Sequence, residues 1–381
     1  MGEQFDRASS LREIVRGIRE CRRGEGHKDG PVEYYITALG AGAKLRREIR
    51  TGRYHARRGT IVYIFRPKKR VATAPWFRDR VWQRTMCNNG VYDDLTRGFL
   101  YENICCQKGK GQDLAIRIVV KFLQTLYWSD PGAPIYVAHL DIQKYFPSTP
   151  QKLVHELDRE RITEPMFLPY LDEIIDMHGD PRSAEEIAAD PYGKRGTGLG
   201  SQINQLNQIA LLDKLDHEIH AFAKFYIRYN DDFLILDHDR AIIERARDLI
   251  RAHLEELGLT MKDKAGIQNA AQGFYFLRKR FVVLDHGKII IRLHPKALAE
   301  ERQTLRNLKR KVDDGTRTMH DVQVHYQSWI ANAEYAGDAP IRKMDIFYRQ
   351  TFGQRPKYKR KRRYLYGSQC NPAGEKPPAG T

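Results

Sequence analysis

The stretch FYIRYNDDFLIL, at residues 225–236, places two adjacent acids, Asp231 and Asp232, between two largely apolar runs. The runs have the composition of short strands, and Asn-Asp between them is typical of a hairpin turn. A carboxylate is costly to remove from water unless it is paired or holds a cation. The stretch therefore predicts a hairpin with two acids at its turn, and it raises the question of what these acids bind.

A third acid, Asp141, lies in IYVAHLDIQKYF, where β-branched and apolar residues predict a buried strand. If this strand lies beside the hairpin, three carboxylates converge and repel one another unless cations are bound. Two Mg²⁺ ions, or Mn²⁺ in their place, would relieve that repulsion. Two metals about 3.5–4 Å apart can clamp the attacking and leaving oxygens of a phosphoryl transfer. The alternative is a solvated turn and an unrelated acid at a strand end.

The charge of the chain points to a polyanionic partner. Its 381 residues include 65 Lys and Arg against 48 Asp and Glu, which gives a net charge of +17. Such an excess favours nucleic acid over a membrane surface, and the alternative is a merely basic protein without such a partner.

The cysteines and the N-terminal residues indicate the compartment. The cysteines are odd in number and show no spacing typical of a zinc site, so we expect reduced thiols. The N-terminal residues lack the apolar stretch of a signal peptide, and no run of 18 apolar residues occurs. These features predict a cytoplasmic protein without a membrane partner. The five cysteines are Cys21, Cys87, Cys105, Cys106 and Cys370.

The pattern along the chain predicts a mixed α+β body followed by helices. Residues 1–58 and 296–350 have helical periodicity, whereas GTIVYIFRPKKRVATAP indicates two strands around a basic turn. Residues 178–200 are polar and contain glycine and proline, which favours a long loop, and Ser201 has the position of a helix N-cap.

Several segments together resemble the motifs of reverse transcriptases, in the order typical of that family. The set covers roughly residues 60–290 and implies a right-hand polymerase with fingers, an antiparallel-sheet palm and a helical thumb. The segments are RPKKRVATAPWFRDRVWQ, LDIQKYF, GTGLGSQINQ, YNDD, GLTMKDKAGI and FYFLRKRF. The resemblance implies an N-terminal extension and fingers at 1–85, a palm with finger insertions at 86–290 and a thumb at 291–353. The basic run and the Pro- and Gly-containing end of the chain predict a disordered tail at 354–381.

The resemblance also implies roles for individual residues. Asp141 and Asp231 would be metal ligands, with Asp232 as the supporting acid. Phe146 would stack on the sugar of the incoming nucleotide and exclude a 2′-hydroxyl, and Tyr229 would abut the primer end. The remaining candidates are substrate contacts: Lys69, Arg70 and Arg78 for the triphosphate, Ser201 and Gln202 beside the incoming base, and Lys264 as a proton donor to pyrophosphate.

The Gly-rich motif, GTGLGSQINQ, indicates which reverse transcriptases this sequence resembles most. The pair Ser201–Gln202 is typical of bacterial reverse transcriptases from diversity-generating elements and from several phage-defence systems. The implied function is RNA-directed DNA synthesis, with an RNA template (a dedicated non-coding RNA), a DNA product and dNTPs, and with a homo-oligomer or an accessory protein as further partners. Alternatives are an RNA-dependent RNA polymerase, which an aromatic residue at position 146 disfavours, and a non-catalytic basic RNA-binding protein. The basic, aromatic run at residues 355–363 predicts contacts with RNA phosphates.

Overall fold

The computed structural model describes residues 2–23, 29–64 and 70–360, and leaves out the side chains of residues 29, 70 and 263–265. The chain divides into two compact units. The first comprises Met1–Ala115, Leu140–Phe233 and Glu244–Lys264. The second comprises Ile116–His139, Leu234–Ile243 and the chain from Ala265 onward.

The described residues form helices and strands that alternate along the chain. The helices are α1 (Glu3–Ala8), α2 (Leu11–Arg22), α3 (Asp29–Ile36), α4 (Ala38–Arg50), α5 (Phe77–Met86), α6 (Tyr92–Thr96), α7 (Gln112–Ser129), α8 (Tyr145–Ser148), α9 (Gln151–Arg161), α10 (Leu168–Asp176), α11 (Ala184–Ala189), α12 (Gln202–Ala210), α13 (Asp213–His220), α14 (Arg240–Glu256), α15 (Ala297–Asp313), α16 (Met319–Ala333) and α17 (Asp338–Phe352). The strands are β1 (Thr60–Ile64), β2 (Arg70–Ala74), β3 (Tyr136–Ile142), β4 (Tyr226–Tyr229), β5 (Asp232–Asp237), β6 (Met261–Asn269), β7 (Phe274–Phe276), β8 (Lys279–Val283) and β9 (Ile289–Leu293).

The strands form three sheets. A four-stranded sheet has the order β4-β5-β3-β6, so the strand that carries Asp141 lies directly beside β5 of the hairpin. β1 pairs with β2, and β8 lies between β7 and β9, with antiparallel pairing in both of these sheets. The predicted α+β class with antiparallel sheets is therefore confirmed.

The core of the first unit is built on amphipathic helices. In α2, Ile14, Ile18 and Cys21 recur at helical spacing and are buried, while the Ser10 hydroxyl accepts the Glu13 backbone N–H at 3.3 Å and caps the helix. Trp82 of α5 is fully buried in the same cluster. The predicted helical start of the chain thus gains its stability from packing one face of each helix into a shared core.

The second unit has its own core. Its last three helices pack around Leu305, Tyr326, Ile330, Met344 and Tyr348, all of them at most 1% exposed. This agrees with the helices predicted over residues 296–350. Assignment of these helices to a polymerase thumb, like the other domain assignments, stays a prediction.

Two local predictions need correction. The segment predicted as a long loop contains α11, because Ser183 and Glu186 form a capping box that starts a helix there. A disordered tail was predicted from residue 354, yet the side chains of Tyr358 and Arg360 contact α17: the Tyr358 hydroxyl donates to Asp345 at 2.8 Å, and Arg360 donates to Asp338 at 2.7 Å. These polar contacts hold the described end of the tail. Residues 361–381, with the rest of the predicted tail, lie outside the described residues.

Within the residues that the structure describes, no helix combines the length and apolar character needed to cross a membrane.

Candidate active site

The hairpin at Asp231 is present as predicted. β4 ends at Tyr229 and β5 begins at Asp232, so Asn230 and Asp231 alone make the turn. Asn230 has φ of +59°, a left-handed conformation that asparagine tolerates better than most residues. Its side-chain amide donates to Asp231 Oδ1 at 3.1 Å, which orients that carboxylate.

The end of β3 lies against this turn. The backbone N–H of Ile142 donates to the carbonyl oxygen of Asp231 at 3.3 Å. The residue that follows Asp141 is therefore hydrogen-bonded directly to the turn. Asp141, Asp231 and Asp232 are all half-buried. The structure thus brings together the two sequence segments whose acids were predicted to converge.

The metal assignment stays a prediction. Three half-buried carboxylates on adjoining strand ends offer the hard oxygen donors that Mg²⁺ prefers, so the residue types fit such an ion. Across residues 2–23, 29–64 and 70–360, however, no group of three or more His, Cys, Asp or Glu side chains is arranged so that it could hold a metal.

A fully buried arginine supports the hairpin by a hydrogen bond to its turn. Arg228 of β4 makes a bidentate pair with Asp216 of α13, at 2.6 Å to Oδ1 and 2.5 Å to Oδ2, and both side chains have 0% exposure. Its guanidinium also donates to the turn carbonyl of Asn230 at 2.9 Å and to the Ile209 carbonyl at 3.0 Å. Burial opposes the charge of Arg228, but the Asp216 carboxylate outweighs this, so the pKa of Arg228 is raised.

Sequence reasoning missed this pair. Tyr226 adds a third contact, because its hydroxyl donates to Asp216 Oδ1 at 2.6 Å. The available signal was an arginine inside the otherwise apolar run YIRY, since a charged side chain at a buried strand position needs a partner. The partner, twelve residues earlier, could not be chosen from the sequence.

The segment that carries Phe146 is hydrogen-bonded to the Gly-rich segment. Thr197 N–H donates to the Phe146 carbonyl at 3.2 Å, and Gly196 N–H donates to the Thr149 carbonyl at 2.8 Å. The Phe146 ring is half-buried, beside the buried Tyr145 with ring centroids 6.1 Å apart. Two of the predicted motifs therefore meet, while the contact of Phe146 with a sugar stays a prediction.

The Gly-rich segment also meets β2. Thr73 N–H donates to the Leu199 carbonyl at 2.8 Å. Gly200 has φ of +129°, and a Cβ atom there would lie 2.4 Å from the Thr73 carbonyl oxygen, so the close approach requires glycine. β2 begins at Arg70, whose side chain is not described, and Lys69 lies outside the described residues.

Ser201 caps α12, as predicted. Its hydroxyl accepts the Asn204 N–H at 3.2 Å and donates to Gln83 Oε1 at 3.0 Å, and the residue is 1% exposed. Gln202 is half-buried and follows directly. The structure gives Ser201 a capping role, and contacts of Ser201 and Gln202 with an incoming base stay predictions.

Arg78 lies in an ion-pair network. It pairs with Glu48 at 3.1 Å and with the buried Asp79 at 3.3 Å, and it donates to the His55 carbonyl at 2.6 Å. Its guanidinium also lies 4.7 Å from the centre of the Tyr54 ring. Binding of a triphosphate by Arg78 would require part of this network to open, and that role stays a prediction. Lys264 belongs to β6, but its side chain is not described.

Tyr229 is half-buried at the end of β4. Burial, together with the neighbouring thiols of Cys105 and Cys106, raises the pKa of its hydroxyl to about 12. Tyr229 therefore remains a neutral phenol next to the turn.

Comparison with known proteins yields structural similarity only. No family model and no curated protein matches the sequence. Telomerase from Candida albicans in complex with a fragment of telomeric RNA aligns with a TM-score of 0.46 and 11% identity, covering 84% of this chain and 58% of that chain.

Two further similar structures are of apo telomerase from Candida tropicalis. The form truncated from its C-terminal domain has a TM-score of 0.44 and 11% identity, covering 64% of this chain and 58% of that one. The other has a TM-score of 0.42 and 12% identity, covering 65% of this chain and 52% of that one. The chain thus spans little more than half the length of these telomerase chains, and the likeness concerns the fold alone.

Proposed function

We propose that this chain is an RNA-directed DNA polymerase, a nucleotidyltransferase that extends a DNA strand on an RNA template. The observation that supports it best is the hydrogen bond from Ile142 N–H to the Asp231 carbonyl at 3.3 Å. It joins the strand end that carries Asp141 to the turn that carries Asp231, directly before Asp232 at the start of β5, as a phosphoryl-transfer centre built on these acids needs.

In the proposed reaction, the primer 3′-hydroxyl attacks the α-phosphate of a dNTP and pyrophosphate leaves. Asp141, Asp231 and Asp232 would hold two Mg²⁺ ions, which when bound would neutralise charge on the attacking and leaving oxygens. The protein contributes mainly positioning, since phosphoryl transfer requires little covalent chemistry from side chains. The buried Arg228 supports the turn, and Asn230 orients the Asp231 carboxylate.

The other roles follow from the same proposal. Phe146 would contact the sugar and Tyr229 the primer end, with Ser201 and Gln202 near the incoming base. Lys69, Arg70 and Arg78 would bind the triphosphate, and Lys264 would donate a proton to pyrophosphate.

The proposed setting is an antiviral defence system of a bacterium, in which the enzyme copies a dedicated non-coding RNA in the cytoplasm. The Ser201–Gln202 pair supports this setting, and the charge of +17 supports an RNA partner. The same pair also suits the polymerase of a diversity-generating element. Sequencing of RNA that co-purifies with the full chain separates the two: one recurrent structured RNA supports defence, whereas a repeat-derived template supports diversification.

The decisive experiment is primer extension on an RNA template with the Asp231→Asn variant. We expect incorporation of dNTPs to fall by about 10²- to 10³-fold, because removing one group that stabilises transition-state charge costs on this order. Asp237→Asn is the matched control, because it makes the same change at the far end of β5, roughly 16 Å along the strand from Asp232 at about 3.3 Å per residue. Both variants should retain RNA binding.

Extension by Asp231→Asn within a few-fold of the wild type would reject the proposed metal site. An inactive wild type that still binds RNA would instead support the non-catalytic RNA-binding alternative.

A further inference from the structure

Two adjacent cysteines lie beside the candidate active site. The sulfur atoms of Cys105 and Cys106 are 3.3 Å apart. Cys105 is buried at 8% exposure, whereas Cys106 is exposed. Among the described residues, Cys106 is the exposed thiol, since Cys21 and Cys87 are buried. The pair thus combines one accessible and one sheltered sulfur within contact distance.

The backbone around the pair is held in place by β4. Arg228 N–H donates to the Glu102 carbonyl at 3.1 Å, and Ile104 N–H donates to the Arg228 carbonyl at 3.1 Å, so the segment leading to Cys105 runs parallel beside this strand. Cys106 has φ of +55°, an unusual conformation for a residue with a side chain. The close sulfur contact is therefore part of a fixed local structure.

The surroundings of Cys106 favour its thiolate. A cavity of about 220 Å³ is lined by Cys106 together with two basic residues, Arg84 and Lys108. The hydrogen bond with Cys105 lowers the pKa of Cys106. The same hydrogen bond raises the pKa of Cys105, and burial raises it further. The thiolate is the reactive form of cysteine, and an accessible thiolate next to a second thiol is typical of redox-sensing pairs.

We propose that Cys105 and Cys106 form a redox-modification site at which hydroperoxides convert the two thiols into a disulfide. The Cys106 thiolate attacks one peroxide oxygen, the O–O bond breaks, and hydroxide leaves to give a sulfenic acid. The Cys105 sulfur then attacks the Cys106 sulfur, and the sulfenic oxygen leaves as water with the Cys105 proton. In sum, two thiols are oxidised and one H₂O₂ is reduced to two waters.

The product should be easily reversed. The Cα atoms of adjacent residues are about 3.8 Å apart. Most disulfides span roughly 4.4–6.8 Å, and shorter spans strain the bond and make it more reducible. Thiol reductants should therefore restore the pair readily.

The pair also contacts a residue of the proposed polymerase site, a link that rests on the proposed function. Cys105 lies beside Tyr229, the residue that the proposed function places at the primer end, and it contributes to the raised pKa of the Tyr229 hydroxyl. Since oxidation would remove the Cys105 thiol proton and draw its sulfur toward Cys106, we expect it to shift Tyr229 and to lower primer extension.

The test is mass spectrometry of the full chain after brief treatment with H₂O₂. We expect the peptide that contains both cysteines to lose two hydrogens, and dithiothreitol to restore two thiols that iodoacetamide can label. The Cys105→Ser variant should instead accumulate a sulfenic acid on Cys106 that reacts with dimedone, and Cys106→Ser should show neither product. Cys87 is an internal control, because it lines the same cavity but burial raises its pKa to about 12.

Oxidation of Cys106 no faster than that of Cys87 would overturn the proposal. So would a sulfenic acid that persists in the wild type as it does in Cys105→Ser. Primer extension on the same samples tests the link to Tyr229: activity that is unchanged after disulfide formation would refute that link. If extension is absent before oxidation, the proposed function fails, and the mass measurement still decides the chemistry of the thiols.

Discussion

Replacement of Arg228 by methionine should destabilise the first unit strongly. The change leaves the Asp216 carboxylate fully buried without its bidentate partner, and removing one member of a buried ion pair costs about 3–5 kcal/mol. The carbonyls of Asn230 and Ile209 also lose a donor, and each buried group left unsatisfied adds about 1–3 kcal/mol unless water reaches it. A total loss of about 4 kcal/mol or more is a large fraction of the stability of a typical domain.

A double variant measures the coupling energy between Arg228 and Asp216 apart from the interactions that each side chain makes with other groups. Asp216→Asn removes the opposite charge while nearly keeping the side-chain shape, and alone it should also destabilise, because it leaves the guanidinium buried and unpaired. If each single change costs about 4 kcal/mol and the double variant costs about the same as either, the coupling energy is about 4 kcal/mol. Arg228→Lys keeps the charge but loses the bidentate geometry, so it should fall between the wild type and Arg228→Met.

The assay is urea unfolding followed by circular dichroism, and the transition that the substitution shifts is the one that reports on the first unit. Primer extension by the same variants reports on the turn, and we expect Arg228→Lys to lose turnover more than RNA affinity. A loss of stability below about 1 kcal/mol in Arg228→Met would refute the reasoning. A double variant whose cost is the sum of the two single costs would also refute it, because the two side chains would then act independently.

Three further predictions concern other parts of the chain. Phe146→Val should lower the dNTP/NTP ratio of kcat/KM by at least about tenfold, because a smaller side chain removes the clash with a 2′-hydroxyl; an unchanged ratio in a folded variant would make Phe146 a packing residue only. Arg355→Ala together with Lys357→Ala should flatten the plot of log K against log salt for single-stranded RNA by about 1.4, at about 0.7 per phosphate contact, and an unchanged slope would leave both residues without RNA contacts. Burial raises the pKa of Asp158 from 3.8 to about 8, so the folded state binds its proton more tightly than the unfolded chain. Stability should therefore fall as pH rises from about 4 to about 8, and Asp158→Asn should remove most of that slope in urea unfolding at several pH values; an identical slope in both proteins would contradict this.

Much of the candidate site follows from local sequence. The apolar runs on both sides of Asn230 predict the hairpin, because strand propensity and turn chemistry are properties of a few neighbouring residues. Ser201 as a helix cap follows for the same reason, since a cap bonds to a backbone N–H only three residues away. The helices over 296–350 can be predicted from the helical spacing of their apolar residues, because each helix buries one apolar face.

Other features depend on contacts between residues that are distant along the chain. Arg78 can be identified as basic from the sequence, but its pair with Glu48 depends on how α4 and α5 are placed. The choice of Asp216 as partner of Arg228 depends on where α13 lies beneath β4, and the contact of Cys105 with Tyr229 depends on a segment placed along that strand over a hundred residues away in sequence. Local propensity carries no information on such pairings, because many charged residues and thiols are equally available along the chain. Only the burial of specific side chains against one another in the folded chain selects the partner, since a buried charge or thiol is stable only where the geometry satisfies it.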